Sequence, residues 1–563
     1  MNSFSKKLIG LFLLFTLTNT YAQTLKSGPQ VLSFHSDVDD TEQPYAIYIP
    51  KKFSEKKQYP LVVMLHGAGS NHRLAMRRVF GKSNFNNEND VEASTYFPKW
   101  KSVDYIVVSP LARGTMGYQG IAEKDVMDML ADVKKRFHID ENRTYLTGLS
   151  MGGGGTLWIG LTRPDIWAAI APVCPAPPTE TAQYIDNASN LRAYIFQGGA
   201  DPVVKPEATR KWVEDMKKAG GKIDYTEYAG VKHDSWNNAY VDEFIFSWFS
   251  KYKRDPFPNK IKFTTQQIKY GSAYWLKIRD MEVGKTATIE AFFKNKNMLD
   301  IKTENVLALE MNLNGHSNYN PKKSLALNLD GQNVPLFGLT NGQILIKNNG
   351  KWMVGKPEFS DKEKNAMTEG PMTEVFGDRH IYVYGTTDNP SKEELEKRKA
   401  VAETAADWSY SRGDFMGRVM VFPRVLTDQE VRPNDIERSN LVLFGTKETN
   451  SLIAKYADKL PMELKKESSL KAGLTFVYPN GKKYILINSG IPFWQIPLFD
   501  QGPFARLRTP GKAGQLTGYG DWVYYDGELN NVISTGIFEH NWSIPEDKLK
   551  LLENIDKLNI KKP

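Results

Sequence analysis

The chain has 563 residues, of which 41% are hydrophobic and 25% are charged, with a formal net charge of +8. This is an ordinary globular composition with room for three or four domains, so it excludes a disordered or fibrous protein. The modest lysine-rich excess forms no arginine-dense patch, and nucleic acid is therefore not an expected partner. A single cysteine, Cys174, excludes an internal disulfide.

The first residues carry the pattern of an export signal. Lys6 and Lys7 precede the apolar run Leu8–Leu17, which is too short to span a bilayer. The stretch Thr20–Ala22 then supplies small residues of the kind a signal peptidase requires. We therefore expect residues 1–22 to be a signal peptide, the protein to be secreted or periplasmic, and no membrane anchor to be present.

From residue 23 to residue 256, predicted strands rich in β-branched residues alternate with predicted helices. The strands are Val31–Phe34, Ala46–Ile49, Leu61–Leu65, Tyr105–Val108, Thr144–Thr147, Ala169–Pro172 and Ala193–Phe196. The helices are Glu123–Phe137, Gly152–Leu161 and Glu207–Ala219. Such alternation predicts an α/β domain whose mostly parallel sheet is covered by helices on both faces.

The texture changes after the turn-prone stretch Asp255–Pro258, which predicts a domain boundary. Short alternating segments over 259–365 predict a β-rich, sandwich-like domain. Alternation of strands and helices returns over 366–545 and predicts a second, smaller α/β domain, with a hairpin around Pro479–Lys482. The lysine-rich end, 546–563, is predicted to be a surface helix or tail.

The pentapeptide Gly148–Gly152 fits the pattern G-x-S-x-G, and Ser150 is its serine. The pattern alone is common, but here it follows the predicted strand Thr144–Thr147 and leads into a helix. In the α/β-hydrolase fold, the nucleophile occupies such a sharp strand-to-helix turn, and small flanking residues let strand and helix approach each other. Ser150 is therefore the candidate nucleophile, and the predicted fold of the first domain is the α/β-hydrolase fold.

A serine hydroxyl needs a base and an orienting acid, which this fold supplies in the order serine, acid, histidine. Asp201 follows the strand Ala193–Phe196 in a tight turn, and His233 follows the next strand-like stretch. These two residues are the candidate acid and base, with Asp224 and Asp234 left open as alternative acids. No other histidine follows Asp201 within this domain.

An acyl-transfer site also needs hydrogen-bond donors for the oxyanion. The small-residue loop after the strand Leu61–Leu65 predicts one donor from the backbone N–H of Ala68 or Gly69, and a second from Met151. No metal-ligand spacing is present and hydrolysis needs no cofactor, so neither is expected. The strand-ending pairs Gly385-Thr386 and Gly445-Thr446 lack the phosphate-loop signature and are interpreted as structural turns.

A long polar segment, 81–101, lies between the helix after the oxyanion loop and the next strand. It carries four aromatic residues, and long segments without secondary structure are often lids. The aromatic side chains are predicted either to stack on a sugar or phenolic ring or to pack against the domain body. The four are Phe85, Tyr96, Phe97 and Trp100.

Several short motifs together resemble the polyhydroxybutyrate depolymerase and feruloyl esterase group, which includes carbohydrate esterase family one, and more distantly the prolyl oligopeptidase catalytic domain. The resemblance covers residues 30–254. The motifs are His66–Gly69, Ser109-Pro110 with Arg113-Gly114, Asp140 with Arg143, Gly148–Gly153, Ala171–Val173 and His233–Trp236.

The resemblance implies Ser150 as nucleophile, Asp201 as acid and His233 as base, with Trp236 near the acyl pocket. Tyr118 is a second candidate for the substrate pocket. The sequence departs from the group at two positions: Cys174 stands where a small residue such as serine is expected, and Gln197 replaces a histidine before the acid turn.

The expected function is that of a secreted serine carboxylesterase acting on feruloyl or acetyl esters of plant or algal polysaccharide, which would then be its partner. Three other functions stay open: a prolyl-oligopeptidase-type peptidase, a polyester depolymerase, and a polymer-binding protein with a relict hydrolase domain.

Overall fold

The computed structural model of the protein describes residues 25–336, 342–355, 362–408, 420–496 and 511–561. The predicted signal peptide, residues 1–22, lies outside the described residues. Within the described ranges, no helix is both long and apolar enough to cross a membrane.

The N-terminal part is built on an eight-stranded sheet with the order β1-β2-β4-β3-β5-β6-β7-β8. The first strand is antiparallel to β2, and β2 is antiparallel to β4. All the other neighbours are parallel. The strands are β1 (Gly28–Ser36), β2 (Thr41–Ile49), β3 (Tyr59–Leu65), β4 (Ile106–Pro110), β5 (Ile139–Leu149), β6 (Ala169–Val173), β7 (Arg192–Gly198) and β8 (Lys222–Tyr228).

Helices cover both faces of this sheet, because its central strands are apolar on both sides. The helices are α1 (His72–Val79), α2 (Asp90–Ala93), α3 (Ile121–Arg136), α4 (Met151–Thr162), α5 (Pro206–Lys218), α6 (Trp236–Ala239) and α7 (Phe244–Phe249). Helices α1 and α7 share one apolar cluster, while α3, α4 and α5 share another. The predicted α/β architecture of the first domain is confirmed, and it is the α/β-hydrolase fold.

The middle part is β-rich, as predicted. Two five-stranded sheets enclose one apolar core, in the orders β10-β11-β14-β17-β18 and β16-β15-β13-β12-β9. The strands are β9 (Lys260–Thr265), β10 (Ser272–Ala273), β11 (Leu276–Met281), β12 (Ala287–Asn295), β13 (Met298–Glu304), β14 (Val306–Met311), β15 (Leu325–Leu329), β16 (Gln332–Leu336), β17 (Gln343–Asn348) and β18 (Lys351–Val354).

The C-terminal part contains a seven-stranded mixed sheet in the order β20-β19-β21-β24-β23-β25-β26. Its strands are β19 (His380–Tyr384), β20 (Arg424–Thr427), β21 (Asn440–Phe444), β23 (Ala472–Asn480), β24 (Lys483–Gly490), β25 (Trp522–Asp526) and β26 (Asn531–Gly536). Its helices are α8 (Lys392–Ala406), α9 (Pro433–Arg438) and α10 (Ser451–Tyr456). The predicted hairpin is formed by β23 and β24.

The lysine-rich end is more than a surface helix. Helix α11 (Glu546–Glu553) is followed by β27 (Leu558–Ile560), which pairs antiparallel with β22 (Met462–Leu464). The segment 546–560 is therefore part of the C-terminal unit. No local sequence pattern predicts the pairing of β27 with β22, because the two strands lie far apart in sequence.

Polar contacts join the three parts. Tyr270 of the β-rich part donates a 3.0 Å hydrogen bond to Glu123 on α3. Arg379 of the C-terminal part makes two 2.7 Å bonds to Asp40 in the turn between β1 and β2. Helix α3 and the turn between β1 and β2 of the hydrolase domain thus contact the other two parts.

Candidate active site

Ser150 lies at the sharp turn between β5 and α4. Its backbone dihedrals are φ 54° and ψ −117°, a strained conformation that side-chain-bearing residues rarely adopt. Its N–H donates to the carbonyl oxygen of Val173 on the neighbouring strand β6. The turn therefore projects the Ser150 side chain from the carboxyl edge of the sheet.

Glycines around Ser150 are required by close backbone contacts. A Cβ atom added at Gly152 would lie 2.2 Å from the carbonyl oxygen of Leu65 on β3. One added at Gly154 would lie 2.1 Å from the carbonyl oxygen of Ala176. The start of α4 can reach the ends of β3 and β6 only because these side chains are absent.

Three predicted residues are brought together by hydrogen bonds. The distance from Ser150 Oγ to His233 Nε2 is 2.9 Å, and that from His233 Nδ1 to Asp201 Oδ2 is 2.8 Å. Because a carboxylate only accepts, Nδ1 carries the proton, which leaves Nε2 to accept from the serine hydroxyl. This chain of bonds can move a proton from the serine to the imidazole during nucleophilic attack.

Asp201 is held by its own turn after β7. Its Oδ1 atom accepts hydrogen bonds from the backbone N–H groups of Val203 and Val204, at 2.8 and 3.0 Å. The two alternative acids have other partners: Asp224 accepts from Trp248, and Asp234 accepts from Asn237. The geometry brings Asp201 to the histidine and leaves the alternatives elsewhere.

The backbone donors beside Ser150 divide into one that is engaged and two that are open. The Gly69 N–H donates to Thr115 Oγ1 at 2.8 Å. Among the described residues, the N–H groups of Ala68 and Met151 have no acceptor. Met151 is the first residue of α4, where backbone N–H groups lack intrahelical partners and favour negative charge. Of the two predicted alternatives on the oxyanion loop, Ala68 rather than Gly69 is open.

The two predicted pocket residues differ. Trp236 lies edge-on to the His233 ring, with the ring centroids 5.5 Å apart, and it is half-buried. Tyr118 is buried, and its hydroxyl donates to the carbonyl oxygen of His66 at 3.0 Å. A Cβ atom at Gly155 would touch its ring. Tyr118 therefore supports the oxyanion loop through the His66 carbonyl, and its place in the substrate pocket stays a prediction.

The segment 81–101 is folded, in contrast to the structureless segment expected. It contains α2, and the buried Arg77 donates to the carbonyl oxygens of Ala93 and Ser83. Trp100 stacks on Phe80 at 4.5 Å and thus packs on the domain body. Phe97 packs with Trp100, while Phe85 and Tyr96 are exposed.

Cys174 lies buried behind the histidine. Its thiol donates to the His233 carbonyl oxygen at 3.5 Å, and burial raises the pKa of the Cys174 thiol to about 12. Its sulfur lies within 4.8 Å of the nearest ligand-type atoms of Asp201 and His233, a grouping that could hold a metal ion by distance alone. A metal prefers a thiolate and a free ring nitrogen, and here the thiol is neutral and Nδ1 is bonded to Asp201.

The structural interpretation of the two glycine-threonine turns is supported by their bonds. The Thr386 N–H and hydroxyl both donate to Asp428, and the Thr446 N–H donates to Thr449. These donors are therefore engaged within the protein.

A cleft of about 420 Å³ lies where the three parts meet, away from Ser150. Gln119 and Trp158 of the hydrolase domain, Lys285 of the β-rich part and Thr373 of the C-terminal part are among its lining residues. Ser150, Asp201 and His233 do not line it.

Two residues with contacts to the site were not singled out by the sequence as parts of it: Thr115 and Gln197. Thr115 is 46 positions from Gly69, so no local spacing connects them. Gln197 was noted only as a departure from the related group. Its side-chain amide donates to Asp201 Oδ2 at 3.1 Å.

Comparison with known proteins gives a family match for the same region. Residues 37–245 match the Esterase family model, whose description is "Putative esterase". A solved thermostable esterase is 26% identical, with a TM-score of 0.33, over 40% of this chain and 63% of that one. This chain therefore spans less than two thirds of that protein's length.

Two further solved structures are ferulic acid esterases. One is 18% identical with a TM-score of 0.32, over 40% of this chain and 98% of that one. The other, from Anaeromyces mucronatus and in complex with ferulic acid, is 20% identical with a TM-score of 0.31, over 41% and 92%. The region that matches the Esterase family model, residues 37–245, is thus the part of the chain that has the α/β-hydrolase fold and contains Ser150, Asp201 and His233.

Proposed function

We propose that this protein is a secreted or periplasmic serine carboxylesterase that hydrolyses feruloyl or acetyl esters on plant or algal polysaccharide. The observation that carries the proposal is the bonded chain from Ser150 through His233 to Asp201, beside two open backbone N–H groups. The predicted export signal and the resemblance to carbohydrate esterases support the extracellular polymer as substrate.

In the proposed reaction, Ser150 Oγ attacks the ester carbonyl carbon while His233 Nε2 takes the hydroxyl proton. Asp201 holds the imidazole and balances its positive charge. The oxyanion accepts hydrogen bonds from the Ala68 and Met151 N–H groups. His233 then protonates the leaving alcohol, and water, activated by the same histidine, releases the acid from the acyl-enzyme.

The proposal is tested first with p-nitrophenyl acetate and the purified full chain. We expect turnover by the parent protein and a loss of at least about a thousandfold in kcat for Ser150→Ala. Ser250→Ala, which removes an exposed hydroxyl at the end of α7, is the matched control and is expected to retain activity. Folded parent protein without turnover, or a fully active Ser150→Ala variant, would contradict the proposal.

The substrate class is tested with a panel of methyl ferulate, acetylated xylan, polyhydroxybutyrate and a prolyl peptide anilide. The highest kcat/KM is expected for one of the first two. A preference for the anilide or for the polyester would instead favour the peptidase or the depolymerase. Export is tested separately by fractionating the producing cells and measuring the mature N-terminus, expected near Gln23, by mass spectrometry.

A further inference from the structure

Gln197 lies directly behind the proposed acid, near the end of β7, and is fully buried. Its Nε2 donates at 3.1 Å to Asp201 Oδ2, the same oxygen that accepts from His233 at 2.8 Å. The other oxygen, Oδ1, is occupied by the N–H groups of Val203 and Val204. Both carboxylate oxygens thus have donors, so the carboxylate is fixed in rotation as well as in position.

The orientation of the Gln197 amide is determined by its neighbours. The Thr209 hydroxyl on α5 donates to Gln197 Oε1 at 2.9 Å, and Nε2 also donates to the Val204 carbonyl oxygen at 3.0 Å. Turning the amide over would place Oε1 against three acceptors: the Asp201 carboxylate and the carbonyl oxygens of Val204 and Gly198. Only the observed orientation gives each atom a suitable partner, so the NH₂ group faces Asp201.

We propose that Gln197 is a positioning residue for the hydrolytic site: a donor that fixes Asp201 and reduces the negative charge that His233 experiences. The inference rests on the proposed function, in which Asp201 orients His233. A neutral amide suits this role because it does not titrate, so the bond to Asp201 persists over the whole working pH range.

Removing the donor has a consequence of definite sign. The positive end of the amide dipole lies against Asp201 Oδ2 and partly offsets the carboxylate charge. Without it, the uncompensated carboxylate favours the protonated imidazole of His233. His233 must be neutral to accept the proton of Ser150, so activity would then appear only at higher pH.

The test is Gln197→Met, which keeps the length of the side chain but has no donor. We expect kcat on p-nitrophenyl acetate to fall by about tenfold, the loss of a hydrogen bond to a charged group, with KM unchanged. We expect the acidic limb of the pH–rate profile to move up by about half a pH unit.

Thr209→Val is the matched control. It removes the Thr209 bond, which Gln197→Met also removes, but it leaves the Nε2 bonds, including the one to Asp201, in place. We expect both variants to lower the melting temperature and only Gln197→Met to move the acidic limb. If the limb stays in place in Gln197→Met, or moves equally in both variants, the inference is overturned and Gln197 has only a packing role.

A fluorophosphonate probe separates this inference from the proposed function. It labels an activated serine without requiring the correct ester, and its labelling rate follows the protonation of the base. Absence of labelling at Ser150 in the parent protein would contradict the proposed function itself. Labelling with the same pH dependence in parent and Gln197→Met would contradict the role of Gln197 alone.

Discussion

The backbone N–H of Gly69 donates a 2.8 Å hydrogen bond to the hydroxyl of Thr115, which lies in the loop between β4 and α3. His66 makes a second tie, since its Nε2 atom lies 2.8 Å from the Leu111 carbonyl oxygen in the same loop. The oxyanion loop is therefore held by a distant segment. The direction of the neighbouring Ala68 N–H depends on that segment.

Thr115→Val is predicted to lower kcat while leaving KM nearly unchanged. Valine keeps the volume of threonine but cannot accept the hydrogen bond from the Gly69 N–H. The loop then relaxes, and the Ala68 N–H is no longer held in the direction of the oxyanion. The loss is expected at about tenfold, below the 10²–10³ that removal of a whole oxyanion donor costs. Steady-state kinetics with p-nitrophenyl acetate measure it. Thr115→Ser, which keeps the hydroxyl, is the control; equal rates for all three proteins would show that the tie has no role.

Gly154→Ala is predicted to destabilise the protein severely. The new Cβ would lie 2.1 Å from the Ala176 carbonyl oxygen. A backbone carbonyl cannot move out of the way as easily as the end of a flexible side chain can. We expect a loss of more than about 3 kcal/mol or insoluble protein, as for other strained or overpacked core changes.

Gly160→Ala in the same helix is the matched control for that prediction. Its Cβ meets only side-chain atoms of Ile170, the nearest being the terminal Cδ1 at 2.9 Å, and alanine favours the helix by about 1 kcal/mol. Thermal melts followed by circular dichroism compare the two variants. Similar melting temperatures for both would refute the explanation by close backbone contact.

Strand periodicity and motif order were sufficient to predict that Ser150, Asp201 and His233 lie close together. Each follows a predicted strand, and the carboxyl ends of parallel strands share one edge of the sheet. The choice between Ala68 and Gly69 was not available from sequence, because it depends on Thr115 in another loop. The support that Tyr118 gives to the oxyanion loop was not available from sequence for a similar reason: its hydroxyl bonds to a backbone carbonyl 52 positions away.

The segment 81–101 shows a different limit of the sequence. Its polar composition predicts a loop, but hydrogen bonds from the buried Arg77 in the preceding helix hold the segment in a defined fold. The pairing of β27 with β22 is a further long-range relationship without a local signal. In both cases the structure is set by contacts that no short window of sequence contains.

Tyr270 is predicted to anchor the β-rich part on the hydrolase domain. Its ring is perpendicular to Trp158 and Tyr184, with centroids 5.6 and 6.0 Å away, and its hydroxyl donates to the buried Glu123. Tyr270→Ala is expected to cost about 3–5 kcal/mol through the cavity it leaves. Tyr270→Phe is expected to cost about 1–2 kcal/mol through the lost bond to a charged group.

Denaturant unfolding of both Tyr270 variants measures these losses. Tyr319→Phe is the control, because the buried Tyr319 hydroxyl has no hydrogen-bond partner among the described residues and its removal should cost nothing. If Tyr270→Ala is no less stable than Tyr319→Phe, the two parts are not held together at this residue.

Glu369 is predicted to make stability fall as pH rises through neutrality. Its carboxylate accepts the N–H groups of Ile268 and Lys269, at 2.6 and 3.2 Å, but burial outweighs these bonds and raises its pKa to about 7. The folded state therefore binds the proton more tightly than the unfolded chain, whose value is about 4.5. The stability that the protonated Glu369 carboxyl gives the folded state is fully present below about pH 4.5 and is lost as pH rises through about 7. Because the side chain is only half-buried, we expect the loss to be about 1–3 kcal/mol.

Glu369→Gln, which cannot ionise, should lose less stability than the parent between pH 5 and pH 8 in thermal melts. The exposed Glu55→Gln is the control and should follow the parent at every pH. If the melting temperatures of the parent and Glu369→Gln change with pH in the same way, burial of Glu369 beside Ile268 and Lys269 does not govern the pH response.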